Sequence, residues 1–169
     1  PTLVLADRGG RPVTFNLHED GHLLVVGAGK SGKTTLAANL AKQMLELGAA
    51  VTVISRTPDP YRALGAGVNS IETLPALRAA TTMLRGQMIV AAEQTPAERS
   101  RTLLILDSPP LLSAHSGAVG DELATLRREV VNIIEHGPDM GVHVAFLCER
   151  PLHLLWGDLA DAMRVRSGV

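Results

Sequence analysis

The residues with the clearest chemical potential form a glycine-rich stretch between an apolar run, residues 23–26, and a helical pattern. Residues 27–34 satisfy the pattern G-x-x-x-x-G-K-[ST] of the phosphate-binding loop, with Lys33 and Thr34 in its last two positions. Glycine permits backbone conformations in which successive N–H groups face one anion, and the following helix adds the positive end of its dipole. We expect Lys33 to reach the β- and γ-phosphates of ATP and the Thr34 hydroxyl to bind Mg²⁺. The predicted nucleotide-binding residues are Gly27, Ala28, Gly29, Lys30, Ser31, Gly32, Lys33, Thr34 and Thr35. The alternative is a loop that keeps this shape without binding a nucleotide.

A second group of candidate residues follows the ends of two later apolar strands. Asp107 follows the apolar run 103–106. In proteins with a phosphate loop, a carboxylate at such a strand end holds Mg²⁺ directly or through a water. The alternative role of Asp107 is that of a turn residue. Many ATP-hydrolysing motors of the additional-strand class carry Glu at the next position as the base, whereas this chain has Ser108, a weak base. Glu149 could replace that base, or it could form a surface ion pair with Arg150. With Asp107 and Glu149 as the candidate catalytic residues, we predict slow or absent hydrolysis.

Further basic residues could contact phosphate. Arginine pairs with phosphate oxygens through its planar fork, so Arg150, Arg164 and Arg166 are candidate phosphate sensors or arginine fingers towards a neighbouring subunit. Their alternative role is that of solvated surface charges. Lys30, three residues before Lys33, is expected to face solvent or to make a modest phosphate contact.

Strand patterns alternate with helical patterns along most of the chain. Short apolar or alternating runs predict strands over residues 3–5, 13–17, 23–26, 51–54, 103–107 and 142–147. Apolar stripes predict helices after Thr34, over residues 74–88 and over residues 123–134, with a short helix over 159–163 and a last strand over 163–165. Residues 56–60 and 94–101 are expected to form a loop and an exposed linker. This alternation predicts an α/β fold with a parallel sheet covered on both faces and a ligand site at the carboxyl ends of the strands.

Composition limits the class of protein. A chain of 169 residues suggests a single domain over residues 1–169, and the start at Pro1 without a methionine suggests a fragment of a larger multidomain protein. Sixteen basic and 17 acidic residues argue against a dedicated nucleic-acid-binding surface. A lone Cys148 excludes an internal disulfide, and without a membrane-length apolar run or signal peptide we expect a cytoplasmic domain. The histidines lack metal-ligand spacing, and His143 is expected to be structural.

Two longer segments resemble the FtsK/SpoIIIE family of RecA-like motors. Residues 12–17 and 21–34 resemble this family, whose members carry the stretch "pHLLvaGatGSGKS", and residues 141–151 are similar to its segment "GiHLvlATQRP". Residues 163–167 are similar to its terminal strand. The resemblance implies a three-layer α/β/α P-loop NTPase fold with a mostly parallel sheet, ATP and Mg²⁺ as cofactors, and a subunit of a ring-forming DNA translocase.

Departures from the family pattern leave two alternatives open. The family's Asp-Glu pair is Asp107-Ser108 here, and its Thr-Gln pair is Cys148-Glu149. A degenerate single module of this kind resembles the later modules of type VII secretion ATPases (the EccC/EssC group), which implies neighbouring ATPase modules and a secreted protein as partners, with any membrane attachment through other domains. The run 32–41 is also similar to partition ATPases, although those proteins need a lysine where this chain has Ala28.

Overall fold

The computed structural model describes residues 2–6, 12–16, 21–55, 57, 59–65, 68–71, 74–107, 121–149 and 161–163. Its strands are β1 (Thr2–Ala6), β2 (Pro12–Asn16), β3 (Leu23–Val26), β4 (Ala50–Ser55), β5 (Val68–Ile71), β6 (Thr102–Asp107) and β7 (Val142–Cys148). Its helices are α1 (Lys33–Glu46), α2 (Asp59–Arg62), α3 (Leu74–Ala92) and α4 (Asp121–His136), with a 3₁₀ turn at Pro138–Met140.

A parallel sheet forms the centre of the molecule. Within the described residues it has five strands in the order β3-β7-β6-β4-β5, and every neighbouring pair is parallel. The strand β7 therefore lies between β3, which leads into the phosphate loop, and β6, which ends at Asp107. The strands β1 and β2 form a separate antiparallel pair.

Apolar side chains cover both faces of this sheet, because successive residues of each strand point to opposite faces. On one face α1 packs against the odd-numbered residues of β4, β6 and β7, among them Val53, Ile105 and Leu147. On the other face α3 and α4 pack against the even-numbered residues, among them Leu104 and Phe146. This three-layer α/β/α arrangement, with a mostly parallel sheet, confirms the predicted fold class.

Glycines mark the ends of the helices that flank the site. Gly32, at φ 91°, immediately precedes α1, and Gly48, at φ 75°, follows it with its N–H bonded to the Leu45 carbonyl. Both conformations favour glycine because a β-carbon is strained there. A β-carbon at Gly137, directly after α4, would collide with the backbone carbonyls of Ile133 and Val142, which explains why glycine occupies this position.

The structure differs from the sequence-based expectations at three places. The strand β5 was not predicted, and α2 occupies part of the predicted loop 56–60. The last strand predicted over residues 163–165 was wrong at Met163, which is helical and packs fully buried against the α3–α4 side of the sheet. Residues 161–163 instead agree with the predicted short helix.

Residues 94–101 form mostly exposed turns, as expected for a linker. None of the helices in the described ranges combines the length and the apolar character that crossing a membrane requires.

Candidate nucleotide-binding site

The phosphate loop connects β3 to α1 at the carboxyl edge of the sheet. The Gly27 N–H donates to the Cys148 carbonyl at 3.1 Å, so the β3–β7 pairing extends to the first residue of the loop. Lys30, at φ 61°, and Gly32, at φ 91°, both adopt left-handed conformations, and the Ser31 N–H between them donates to the Ala28 carbonyl at 3.2 Å. A cavity of about 230 Å³ opens at this turn and is lined by residues 30–35. Lys30 is exposed.

The Lys33 side chain folds back over the phosphate loop. Its ammonium donates to the carbonyls of Gly27 and Ala28 at 2.7 and 2.8 Å, and the residue is only 8% exposed. Within the described ranges no carboxylate pairs with this ammonium. A nearly buried positive charge that is satisfied only by neutral carbonyls attracts an anion, because such a charge is stabilised by a partner of opposite sign.

Thr34 and Asp107 meet across the carboxyl edge of the sheet. The Thr34 hydroxyl donates to Asp107 Oδ2 at 3.0 Å, although 73 residues separate the two in sequence. Asp107 is 4% exposed at the end of β6. The structure therefore brings together the two residues that we predicted as Mg²⁺ ligands.

Two further hydroxyl groups donate to the same carboxylate oxygen. Ser55, which pairs in register with Asp107 across β4 and β6, donates to Oδ2 at 3.3 Å, and the Tyr61 hydroxyl on α2 donates to it at 2.8 Å. Burial raises the pKa of the Tyr61 phenol well above its ordinary value, and the hydrogen bond to Asp107 and the negative charge of that carboxylate raise it further. Tyr61 is therefore a neutral donor throughout the physiological pH range.

Sequence reasoning missed both Tyr61 and Ser55 as site residues. Neither residue is separated from Asp107 by a number of residues that a sequence motif would fix. The available signal was modest: Tyr61 is the chain's only tyrosine, and it lies just after the end of a buried strand.

Glu149 lies beside the phosphate loop. It follows β7, is exposed, and its Oε1 lies 3.5 Å from the position that a β-carbon of Gly29 would take. This carboxylate therefore borders the same loop as the candidate phosphate-binding residues. The other predicted residues, Ser108 and the arginines Arg150, Arg164 and Arg166, lie outside the described residues.

Two buried histidines support the opposite end of β3. His22 accepts the Val144 N–H at Nδ1, 2.8 Å away, and its Nε2 lies 2.5 Å from the Ile134 carbonyl. His143 Nδ1 lies 2.8 Å from the Gly21 carbonyl, which agrees with the structural role predicted for it. The structural role of His22 was not predicted.

The residues present fit Mg²⁺ and a nucleotide in their donor chemistry. Mg²⁺ prefers hydroxyl, carboxylate and phosphate oxygens and keeps several waters, and Thr34 and Asp107 offer the first two kinds of oxygen. The described ranges contain no group of three or more His, Cys, Asp or Glu residues that could hold a metal ion. A bound phosphate and water could supply further ligands to a cation at Thr34.

Several solved structures share this architecture. The pCW3 conjugation coupling protein TcpA, in its monomer form with ATPγS, superposes with a TM-score of 0.78 at 15% identity, covering 95% of this chain and 52% of that one. The chain has the RecA-like fold of the P-loop NTPases. The cytoplasmic domain of the Thermomonospora curvata type VII secretion ATPase EccC matches with a TM-score of 0.73 at 14% identity, covering 97% of this chain and 20% of that one. The cytoplasmic domain of EssC matches with a TM-score of 0.72 at 17% identity, covering 98% of this chain and 34% of that one.

These matches confirm the predicted resemblance to FtsK-like and EccC/EssC-type modules at the level of fold. This chain spans about half the length of TcpA and smaller shares of the two secretion ATPases. No protein-family model matches the sequence, and no curated protein does.

Proposed function

We propose that this chain is an ATP-binding module of the FtsK/SpoIIIE type, which binds Mg²⁺-ATP in the phosphate loop and hydrolyses it slowly. The observation that carries the proposal is the contact between Thr34 and Asp107, because it joins the loop to the carboxylate that a Mg²⁺ site needs. The Thr34 proton points to Asp107, so the lone pairs of its oxygen remain for a cation. When bound, Mg²⁺ would neutralise phosphate charge.

Strand order supports the additional-strand class over the partition-ATPase alternative. One strand, β7, separates the phosphate-loop strand from the Asp107 strand. That extra strand is the feature for which the additional-strand class is named. The fold shared with TcpA, which was solved with ATPγS, adds support for a nucleotide at this edge.

Slow hydrolysis follows from the candidate bases. Ser108 replaces the family's Glu and is a poor proton acceptor. Glu149 borders the loop at Gly29 and is the carboxylate that we assign to polarise water. It approaches from β7 rather than from the end of β6, and we expect it to replace the missing Glu only in part.

We base the proposed binding partners on both the family resemblance and the structural neighbours. As a motor module the chain would act in a homo-oligomeric ring or beside further ATPase modules, with Arg150, Arg164 and Arg166 reaching phosphate, and DNA would be its cargo. The second candidate is a regulatory module of a secretion ATPase in the cytoplasm. It is favoured by the fold shared with ATPases 2 and 3 of Thermomonospora curvata EccC, which were solved with a signal sequence peptide.

One set of assays separates these roles. Phosphate release would be followed with Mg²⁺-ATP alone, with double-stranded DNA, and with a helical secretion-signal peptide. Hydrolysis stimulated by DNA supports the motor, whereas peptide binding with little hydrolysis supports the regulatory module. Dimerisation that depends on nucleotide would instead support a partition-type switch. Steady hydrolysis at motor-like rates without any cargo would contradict the proposed slow hydrolysis.

A further inference from the structure

Tyr61 is a buried polar residue for which the phosphate-loop motif gives no role. It is fully buried among the apolar side chains that pack α1 against the sheet, including Leu40, Met44 and Val53. Packing alone would be served equally well by phenylalanine. Its hydroxyl donates to Asp107 Oδ2 at 2.8 Å, the shortest of the three hydrogen bonds that this oxygen accepts from the described residues.

The three donors come from three different elements. Thr34 belongs to α1, Ser55 ends β4 and Tyr61 belongs to α2. Ser55 is itself oriented, because its oxygen accepts the Thr57 N–H at 3.0 Å. Hydrogen bonds to a carboxylate are about twice as strong as those between neutral groups. This arrangement fixes the rotation of the Asp107 carboxylate from several directions.

Saturating one oxygen leaves the other for a ligand. A carboxylate oxygen offers about two lone-pair positions, and three hydroxyl groups converge on Oδ2. From the described part of the chain, Oδ1 of Asp107 accepts no hydrogen bond. Oδ1 is therefore the atom that can meet a metal ion or one of its waters.

We propose that Tyr61 is a positioning residue for Mg²⁺: it holds Oδ2 of Asp107, which leaves Oδ1 to meet the metal ion or one of its waters. This inference rests on the proposed binding of Mg²⁺-ATP. A merely structural hydroxyl would stabilise the folded chain to the same degree with and without the metal. A positioning hydroxyl, in contrast, strengthens nucleotide binding only when Mg²⁺ is present.

The test compares nucleotide affinity with and without Mg²⁺ in two variants that each remove one buried hydroxyl. Tyr61→Phe keeps the ring, and Thr81→Val is the matched control, because Thr81 is fully buried on α3 and donates to the Arg78 carbonyl on the far side of the sheet. Calorimetric titration with ATPγS would be run in Mg²⁺ and in EDTA. We expect Tyr61→Phe to weaken affinity about tenfold in Mg²⁺ and less than about twofold in EDTA. We expect Thr81→Val to match the wild type in both buffers.

A second measurement needs no substitution. Since Tyr61 is the only tyrosine, 3-fluorotyrosine labelling gives one ¹⁹F resonance for the whole chain. We expect that resonance to shift when Mg²⁺ is added to the complex with ATPγS, and to shift much less when the nucleotide is added in EDTA.

The outcomes separate this inference from the proposed function. Equal losses of affinity in the two buffers, no loss in Tyr61→Phe, or a resonance insensitive to Mg²⁺ would overturn the positioning role while nucleotide binding stands. A wild-type chain that binds no ATPγS in either buffer would overturn the proposed function and this inference with it.

Discussion

Gly27 and Gly29 lie two residues apart in the phosphate loop, yet an added methyl group would meet different surroundings at each. A β-carbon on Gly27 would lie 2.5 Å from Ser31 Oγ and 3.3 Å from Ser31 Cβ. A β-carbon on Gly29 would have Glu149 Oε1 as its nearest neighbour, at an ordinary contact distance of 3.5 Å. Gly32 has no atom within 4 Å of such a carbon, but its φ of 91° strains any other residue. Alanine at these three positions therefore tests a steric overlap, an ordinary contact and backbone strain separately.

The expected free energies of unfolding follow from these distances. Replacing glycine by alanine gains about 0.4–1 kcal/mol through the unfolded chain, so Gly29→Ala should be neutral or slightly stabilising. At Gly27 an overpacking cost of about 1–3 kcal/mol exceeds that gain, and we expect a net loss of about 1 kcal/mol. At Gly32 the left-handed backbone costs about 1–2 kcal/mol. Only the loss at Gly27 depends on the Ser31 side chain.

Urea denaturation of the nucleotide-free chain measures these differences, and Ser31→Ala provides the double-mutant cycle. Removing the Ser31 hydroxyl leaves the contact at 3.3 Å and should restore about 1 kcal/mol to Gly27→Ala and nothing to Gly32→Ala. Our account of the loop would be refuted if Gly29→Ala lost as much stability as Gly27→Ala. It would also be refuted if Ser31→Ala left the loss of stability in Gly27→Ala unchanged.

Three further predictions concern the surroundings of the loop. Because the pKa of Tyr61 lies above its ordinary value of 10.0, the native phenol keeps its proton where the unfolded one releases it, so stability should fall above about pH 10. That slope should be shallower in Tyr61→Phe, and tyrosinate absorbance of the wild type should appear only on unfolding. His22→Ala leaves two buried backbone groups without partners and should cost about 2–5 kcal/mol in urea denaturation, whereas exposed His136→Ala should cost less than about 1 kcal/mol. Glu149→Gln should abolish residual phosphate release and tighten ATP binding, because it removes a negative charge beside the phosphates; unchanged phosphate release would contradict the assigned base.

Long apolar runs made the central strands predictable. Residues 103–106 and 142–147 are buried on both sides of the sheet and were predicted from the sequence alone. The strand β5 was missed because its residues, Val-Asn-Ser-Ile, are too few and too polar to stand out. Met163 was predicted both as the end of a short helix and as the start of a last strand, and the structure places it in the helix, buried in the same apolar cluster as residues of α3 and α4.

The motif predicted the phosphate-binding residues, but it could not predict what surrounds Asp107. Thr34 and Asp107 were expected at one edge of the sheet because both follow parallel strands. The contacts of Ser55 and Tyr61 with that carboxylate depend on the register of β4 against β6 and on where α2 begins. Neither the strand register nor the start of α2 can be recognised from a fixed spacing in the sequence. The structure was therefore needed to identify Ser55 and Tyr61 as hydrogen-bond donors to Asp107.

Calorimetric titration with Mg²⁺-ATP, on the wild-type chain and on Lys33→Ala, tests the central claim most directly. Lys33 carries a nearly buried charge that, among the described residues, only the Gly27 and Ala28 carbonyls hold, and we expect it to move to the phosphates when ATP binds. The account predicts one site per chain in the wild type and an affinity at least about tenfold weaker in the variant. Binding of equal strength in both proteins, or none in the wild type, would contradict it.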